Sequence, residues 1–287
     1  MKKVNSITLT VFLSLAIMAG ISCIEQKPYN SPPGYDLNNP IKYFMPESLT
    51  EISGIAFHHG KNDTIYAEQD EAGKVYYFKQ GDKQVTNVKF GKPGDFEDIA
   101  ILGEQVIMLR SDGVLFVFPF KELRAGNVQR ILKFNEILPQ GEYEGLYADE
   151  QAGQVYVMCK HCSMDNTAKT NTIFAFNLSP DGRIKQAAQY TLNVRDIEAQ
   201  LGQKRIAFHP SAIAKNKNTN EWYIVSSVNK IIVVTDANFK VKTVYPINPS
   251  LFIQPEGITF DSQNNLYISN EGDKITPGTV YRFNYKK

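Results

Sequence analysis

Beyond residue 40 the chain runs as short apolar stretches rich in Val, Ile, Tyr and Phe, broken every few residues by Gly, Asn, Asp and Ser. "TIYAEQ", "KVYYF", "QVIMLR", "VLFVFPF", "TIFAF", "EWYIV" and "KIIVV" are too short for helices, and their β-branched and aromatic content reads as strand. The helical period surfaces in "VRDIEAQLG", residues 194–202, which predicts one short helix. The class is therefore all-β.

Five segments open alike: "ISGIAFH" at 52–58, "FEDIAIL" at 96–102, "YEGLYAD" at 143–149, "PSAIAKN" at 210–216 and "PEGITFD" at 255–261. Each starts a unit of two further strand-like runs, and in the first four units one more run follows: "QVTNVKF", "VQRILKF", "KQAAQYTL" and "KVKTVYPI". Four strands per unit, recurring roughly every 45 residues, is the repeat of an up-and-down β-propeller. The one wider gap holds a polar insertion after Cys162 and the predicted helix. A small sixth blade there, or a β-sandwich, are the structural alternatives. The fifth unit stops at its third strand, so "IKYFM" at 41–45 is expected to supply the fourth and close the ring, which also removes two open sheet edges. The expectation is a five-bladed β-propeller of four-stranded antiparallel blades, over residues 40–287.

The first 40 residues read differently. Two lysines precede an apolar stretch and then small residues ending at Cys23, the layout of a secretory leader over residues 1–22. Cys23 is the candidate lipidation site of a bacterial lipoprotein, the other reading being an ordinary leader and a free cysteine. Residues 23–39, polar and proline-bearing, are expected to be a flexible tether. Cys159 and Cys162 form "CKHC". In an exported protein they read as a local disulfide or two quiet thiols rather than a redox or zinc motif. A formal net charge of +1 offers nothing to nucleic acid.

In an up-and-down blade the residues before each first strand converge on one mouth of the channel. This places Ser53, Glu97, Glu144, Ser211 and Glu256 around it. The turns after each second strand add Glu68, Gln69, Asp70, Arg110, Ser226, Ser227, Asn270 and Glu271. Three converging carboxylates raise one another's pKa unless something positive sits among them. A hard cation with oxygen ligands such as Ca²⁺ would meet that need. Bonds from backbone amides, simple solvation, or neutralisation by Arg110 are the competing readings. His58 and His59 fall at the opposite mouth as solvated loop residues, and His209 is expected to be structural.

"EISGIAF", "DEAGKVYYF", "FEDIAIL", "RSDGVLFVFPF", "YEGLYAD" and "PEGITFD" resemble the SdiA-regulated family of bacterial envelope proteins over roughly residues 40–287. That resemblance implies a five-bladed propeller distantly related to NHL-repeat proteins, with a bound calcium ion. The family's acidic blade-start positions match Glu97, Glu144 and Glu256, while Ser53 and Ser211 replace the acid in the other two repeats.

No nucleophile elbow, phosphate loop or paired metal-binding histidine motif occurs. The function expected is a monomeric, lipid-anchored envelope module, on the outer membrane rather than the inner, binding a protein or small molecule with calcium at the channel mouth. The alternative is a metal-dependent, lactonase-like hydrolase using that ion, with Glu68, Asp70 or Glu271 as general base. Fold alone does not decide between them.

Overall fold

The computed structural model describes residues 28–286, so the leader and Cys23 lie outside the described residues. Among those residues are twenty strands in five four-stranded antiparallel sheets. Strand β1 (Ile41–Phe44) comes first in the chain and joins the last sheet. Blade 1 is β2 (Ile52–Ala56), β3 (Ile65–Gln69), β4 (Lys74–Phe78) and β5 (Thr86–Lys89); blade 2 is β6 (Phe96–Leu102), β7 (Gln105–Arg110), β8 (Leu115–Pro119) and β9 (Leu132–Phe134). Blade 3 is β10 (Gly141–Asp149), β11 (Gln154–Cys162), β12 (Thr170–Leu178) and β13 (Ile184–Asn193). Blade 4 is β14 (Ala212–Asn216), β15 (Glu221–Ser226), β16 (Ile231–Thr235) and β17 (Val241–Pro246). Blade 5 is β18 (Pro255–Phe260), β19 (Leu266–Asn270) and β20 (Thr279–Phe283), completed by β1. The register pairs Ile41 with Arg282 and Phe44 with Thr279, so the ring is closed by strands from the two ends of the domain. The fold is a five-bladed β-propeller, as the repeat implied.

Each blade buries both faces, which explains why its strands read as nearly continuous apolar runs. In β15, Trp222 and Ile224 pack toward blade 3, while Tyr223 and Val225 pack toward blade 5. Alternation along a strand thus feeds two separate cores. Five apolar clusters result, one in each cleft between consecutive blades. None of the sheets can bury its faces alone, so stability is shared around the ring.

Two elements depart from the sequence reading. Phe120–Arg124 forms a short helix, α1, which the sequence reading did not include, starting on the last residue of the expected strand "VLFVFPF", and sends Phe120 and Leu123 into the cleft between blades 1 and 2. The predicted helix is present as α2 (Val194–Leu201), capped by the Asn193 side chain and ended by Gly202 in the left-handed region. The described part of the expected tether, residues 28–39, is packed rather than free. Tyr35 and Leu37 are buried in the cleft between blades 4 and 5. The Tyr35 hydroxyl donates to the Asn264 carbonyl at 2.8 Å and accepts from the side-chain amides of Asn216 and Asn264. Two apolar side chains and a hydroxyl satisfied by both neighbouring blades outweigh the disorder that prolines and polar residues suggest.

Two outcomes follow. Deleting residues 41–44 should abolish cooperative thermal unfolding by opening the ring. Tyr35→Phe should lower stability by about 1–3 kcal/mol, because two buried amides lose an acceptor. Wild-type denaturation midpoints in either variant would overturn these assignments.

Candidate functional site

The acidic residues are aimed by backbone irregularity. In β6, Phe96 pairs with Arg110 and Asp98 with Leu109, leaving Glu97 as the extra residue of a bulge. The same slip leaves Glu144 unpaired between Tyr143 and Gly145, and Glu256 between Pro255 and Gly257. Blade 1 shifts register between Ile52 and Ile55, around Ser53. A bulge bends its strand and re-aims the extra side chain. Here it turns that residue out of the packed cleft and into the channel mouth. Ser53 donates to the Glu97 carbonyl at 3.0 Å, linking blades 1 and 2. The Ser211 and Ser227 side chains support Glu256 from blade 4.

Carboxylates are crowded here and poorly neutralised. Burial raises Glu97 to about 9, helped by Glu144 and Asp95. Glu144 rises to about 7 through burial and repulsion from Glu256, and Glu256 is raised by its own burial. Glu271 rises to about 8 through burial, Glu256 and Asp70, and Asp70 to about 6 through burial, Glu51 and Glu71. One ammonium answers the three glutamates together: Lys160 pairs with Glu144, and its charge also reaches Glu97 and Glu256. Burial opposes the charge on Lys160, but the three glutamates push its pKa up overall. Glu144 still sits above the ordinary carboxylate range, because its burial outweighs the attraction of the lysine. Buried Glu144 Oε2, Glu68 Oε2, Asp70 Oδ1 and both side-chain polar atoms of Asn270 have no hydrogen-bond partner. A pocket of about 270 Å³ opens at this mouth between Asp95, Glu97, Glu142, Glu144 and Lys160.

Lys160 is the residue that sequence reasoning missed. The ends of the second strands supply Glu68, Arg110, Ser226 and Asn270, and the matching end in blade 3 falls at the "CKHC" segment, whose cysteines drew attention away from its lysine. Arg110, whose neutralising a glutamate was one of the competing readings, instead forms a fork with Asp112 at 2.8 and 2.7 Å. Glu68 is fully buried and accepts the Gly54 amide at 2.7 Å, and its burial holds it protonated well beyond the usual range. It serves the first strand of its own blade. Asp98 does the same across blades, accepting the Ile99 and Leu146 amides at 2.8 and 2.7 Å. Cys159 and Cys162 are joined in a disulfide. His209 lies beside the mouth, where its backbone is held by Asn229 and Ser226.

Groups of three whose ligand atoms lie within 4.8 Å of one another are, among the described residues, His58–His59–Glu104 and Cys159–Cys162–Asp165. The three mouth glutamates are not drawn that close. At the opposite mouth, where both were expected as solvated loop residues, His59 is exposed but His58 is half-buried: the two rings lie 3.9 Å apart, and His58 stacks on Phe120 at the same distance. Burial and the neighbouring His59 push the His58 pKa down.

Two solved structures share the architecture at low identity. Glutaminyl cyclase of Myxococcus xanthus superposes with a TM-score of 0.56 at 14% identity, over 86% of this chain and 98% of that one. A luciferin-regenerating enzyme gives 0.50 at 13% identity, over 86% of this chain and 80% of that one. Both likenesses concern the fold alone. No curated protein sequence matches the chain. The family model for SdiA-regulated proteins matches residues 42–284, the whole propeller from the closing strand to the end of blade 5. The chain belongs to the SdiA-regulated family.

Proposed function

We propose that this chain is a lipid-anchored binding module of the cell envelope whose acidic channel mouth holds a calcium ion. The observation that supports the ion is the charge mismatch at that mouth. Glu97, Glu144, Glu256, Glu271 and Asp70 are all held above their ordinary pKa, Lys160 counters the three blade-start glutamates with Lys230 adding only to Glu256, and Glu144 Oε2 and Asp70 Oδ1 are left without partners. A donor set made only of oxygen suits a hard cation. Glu97, Glu144 and Glu256 would hold it, with Lys160 withdrawing from the position it now neutralises. When bound, calcium supplies positive charge and vacant oxygen coordination for an anionic or carbonyl-bearing ligand.

The anchor reading rests on the leader and Cys23. Among the described residues, the backbone of Tyr29 bonds the Asn38 side chain. A lipid on Cys23 would lie within six peptide steps of Tyr29, at most roughly 20 Å away. Tyr35 packs against Asn216 and Asn264, in the turns between the first and second strands of blades 4 and 5. That is the face opposite the acidic mouth, so an anchored propeller presents its carboxylates away from the bilayer.

With a chelator present, thermal stability should fall as pH rises from about 5 to 9. The mouth carboxylates lose their protons at about 6 to 9 in the fold, against about 4 when unfolded. Through that window the folded state binds more protons, so raising pH favours unfolding. A midpoint that is flat or climbs over this range would contradict the protonation pattern.

Calcium should raise the melting temperature by mass action. Glu144→Gln should diminish that gain and Lys160→Met should enlarge it, since one removes a ligand and the other a competing charge. No calorimetric binding at millimolar calcium in either wild type or Lys160→Met would refute the ion. Separately, Cys23→Ser should move the protein from the membrane fraction to the soluble envelope fraction, and retention on the membrane would refute the lipid.

A further inference from the structure

We infer that the mouth opposite the acidic one carries a zinc site built from His58, His59 and Glu104, with Glu150 behind it. The ligands come from two turns on neighbouring blades, β2–β3 and β6–β7, and Glu150 from the β10–β11 turn of a third. Successive side chains normally diverge. His59 has φ 54° and ψ 28°, a left-handed conformation uncommon for a residue with a Cβ, and this turn lets both imidazoles face Glu104.

The spacing fits a metal. Glu104 Oε1 lies 3.4 Å from His58 Nε2 and 3.7 Å from His59 Nε2, and the three ligand atoms all lie within 4.8 Å of one another. In a tetrahedral zinc sphere with bonds of about 2.0–2.1 Å, neighbouring ligand atoms stand roughly 3.3–3.4 Å apart. Small ring movements would close the difference. Two imidazoles and a carboxylate are a borderline donor set that suits zinc and leaves a fourth position for water or a ligand.

The surroundings support the same assignment. His59 Nδ1 lies 2.7 Å from Glu150 Oε1, so an Nδ1–H donates to the carboxylate and the Nε2 lone pair faces Glu104. A carboxylate behind a ligating histidine fixes its tautomer and orientation in this way. The His58 ring rests on Phe120, whose amide donates to the Glu104 carbonyl at 2.9 Å, so α1 supports the backbone of both turns. His58 Nε2 now sits 3.2 Å from the Gly103 carbonyl. On binding zinc it would exchange that contact for the metal and carry its proton on Nδ1, with no net change in protonation. His59, Glu104 and Glu150 also line a cleft of about 540 Å³ with Leu102, Leu178 and Pro180, which gives a small ligand access to the fourth position.

Zinc titrated calorimetrically into the tag-free, chelator-stripped chain, with its disulfide intact, should bind at one site per chain. Cobalt at the same site should show visible ligand-field absorption. His59→Gln and Glu104→Gln should each weaken zinc binding at least tenfold, and Glu150→Gln by about 10–100-fold through loss of the supporting hydrogen bond. Glu104 is exposed, so Glu104→Gln keeps the test independent of folding. Glu144→Gln, at the other mouth, should leave zinc affinity unchanged. The inference fails if no saturable binding occurs at tens of micromolar zinc, if binding survives in both ligand variants, or if Glu144→Gln removes it.

Discussion

Five strands can meet around one axis only where their inner edges lack bulk, and this close approach governs the rest of the molecule. A Cβ added at Gly54 would stand 2.6 Å from the Asp98 Cα of the next blade, and one at Gly257 only 2.4 Å from the Ser53 carbonyl. At Gly145 it would meet Ile213 of blade 4 at 2.9 Å. These glycines are required by neighbouring backbone and packed side chains, since a methyl group there would force the first strands apart. Buried carboxyl groups then tie the strands together: Glu68 takes the Gly54 amide and Asp98 takes the Leu146 amide. Glycine or alanine follows the Ser or Glu in four of the five repeats, and in blade 2 the place is taken by Asp98, whose carboxylate accepts the amides of its own and the next blade.

The same crowding produces the chemistry of the mouth. A strand that cannot hold another side chain against its neighbour bulges, and the displaced residue is the one just before the crowded position. That places Glu97, Glu144 and Glu256 in a partly buried ring where the geometry, rather than any attraction among them, decides their separation. Their mutual repulsion is a cost of the fold, offset within the described residues chiefly by protonation and Lys160. Such a site responds to added positive charge without any large rearrangement of the blades.

Much of this was legible because period, spacing and strand count are properties of the chain itself. The missing fourth strand of blade 5 identified residues 41–45 as its partner, of which 41–44 form the strand, and the blade-start glutamates announced one mouth. What escaped were contacts set by three dimensions. Lys160 lies in a segment whose cysteines carry the stronger sequence signal, and only the register of β10 and β11 brings it beside Glu144. Tyr35 sits among prolines and asparagines, and nothing local reveals that blades 4 and 5 leave a buried slot for it. The helix at Phe120–Arg124 follows a run of strand-forming residues, and becomes helical because Phe120 and Leu123 can fill the cleft between blades 1 and 2.

The two ends of the channel differ for a reason internal to the architecture. At the bulged end, Glu97, Glu144 and Glu256 are placed by the closing of the ring, so their spacing is constrained by the packing of the first strands. At the other end, the turns between first and second strands are free of that constraint, and a single left-handed residue such as His59 can redirect side chains without disturbing the axis. One mouth therefore carries carboxylates that the backbone forces together. The other carries imidazoles and carboxylates that local turns bring together, held by α1 and by a hydrogen bond between blades 1 and 3. A side chain added at Gly54, Gly145 or Gly257 beside the first mouth acts on the packing of the ring, whereas a substitution at the second changes the local site while leaving the propeller intact.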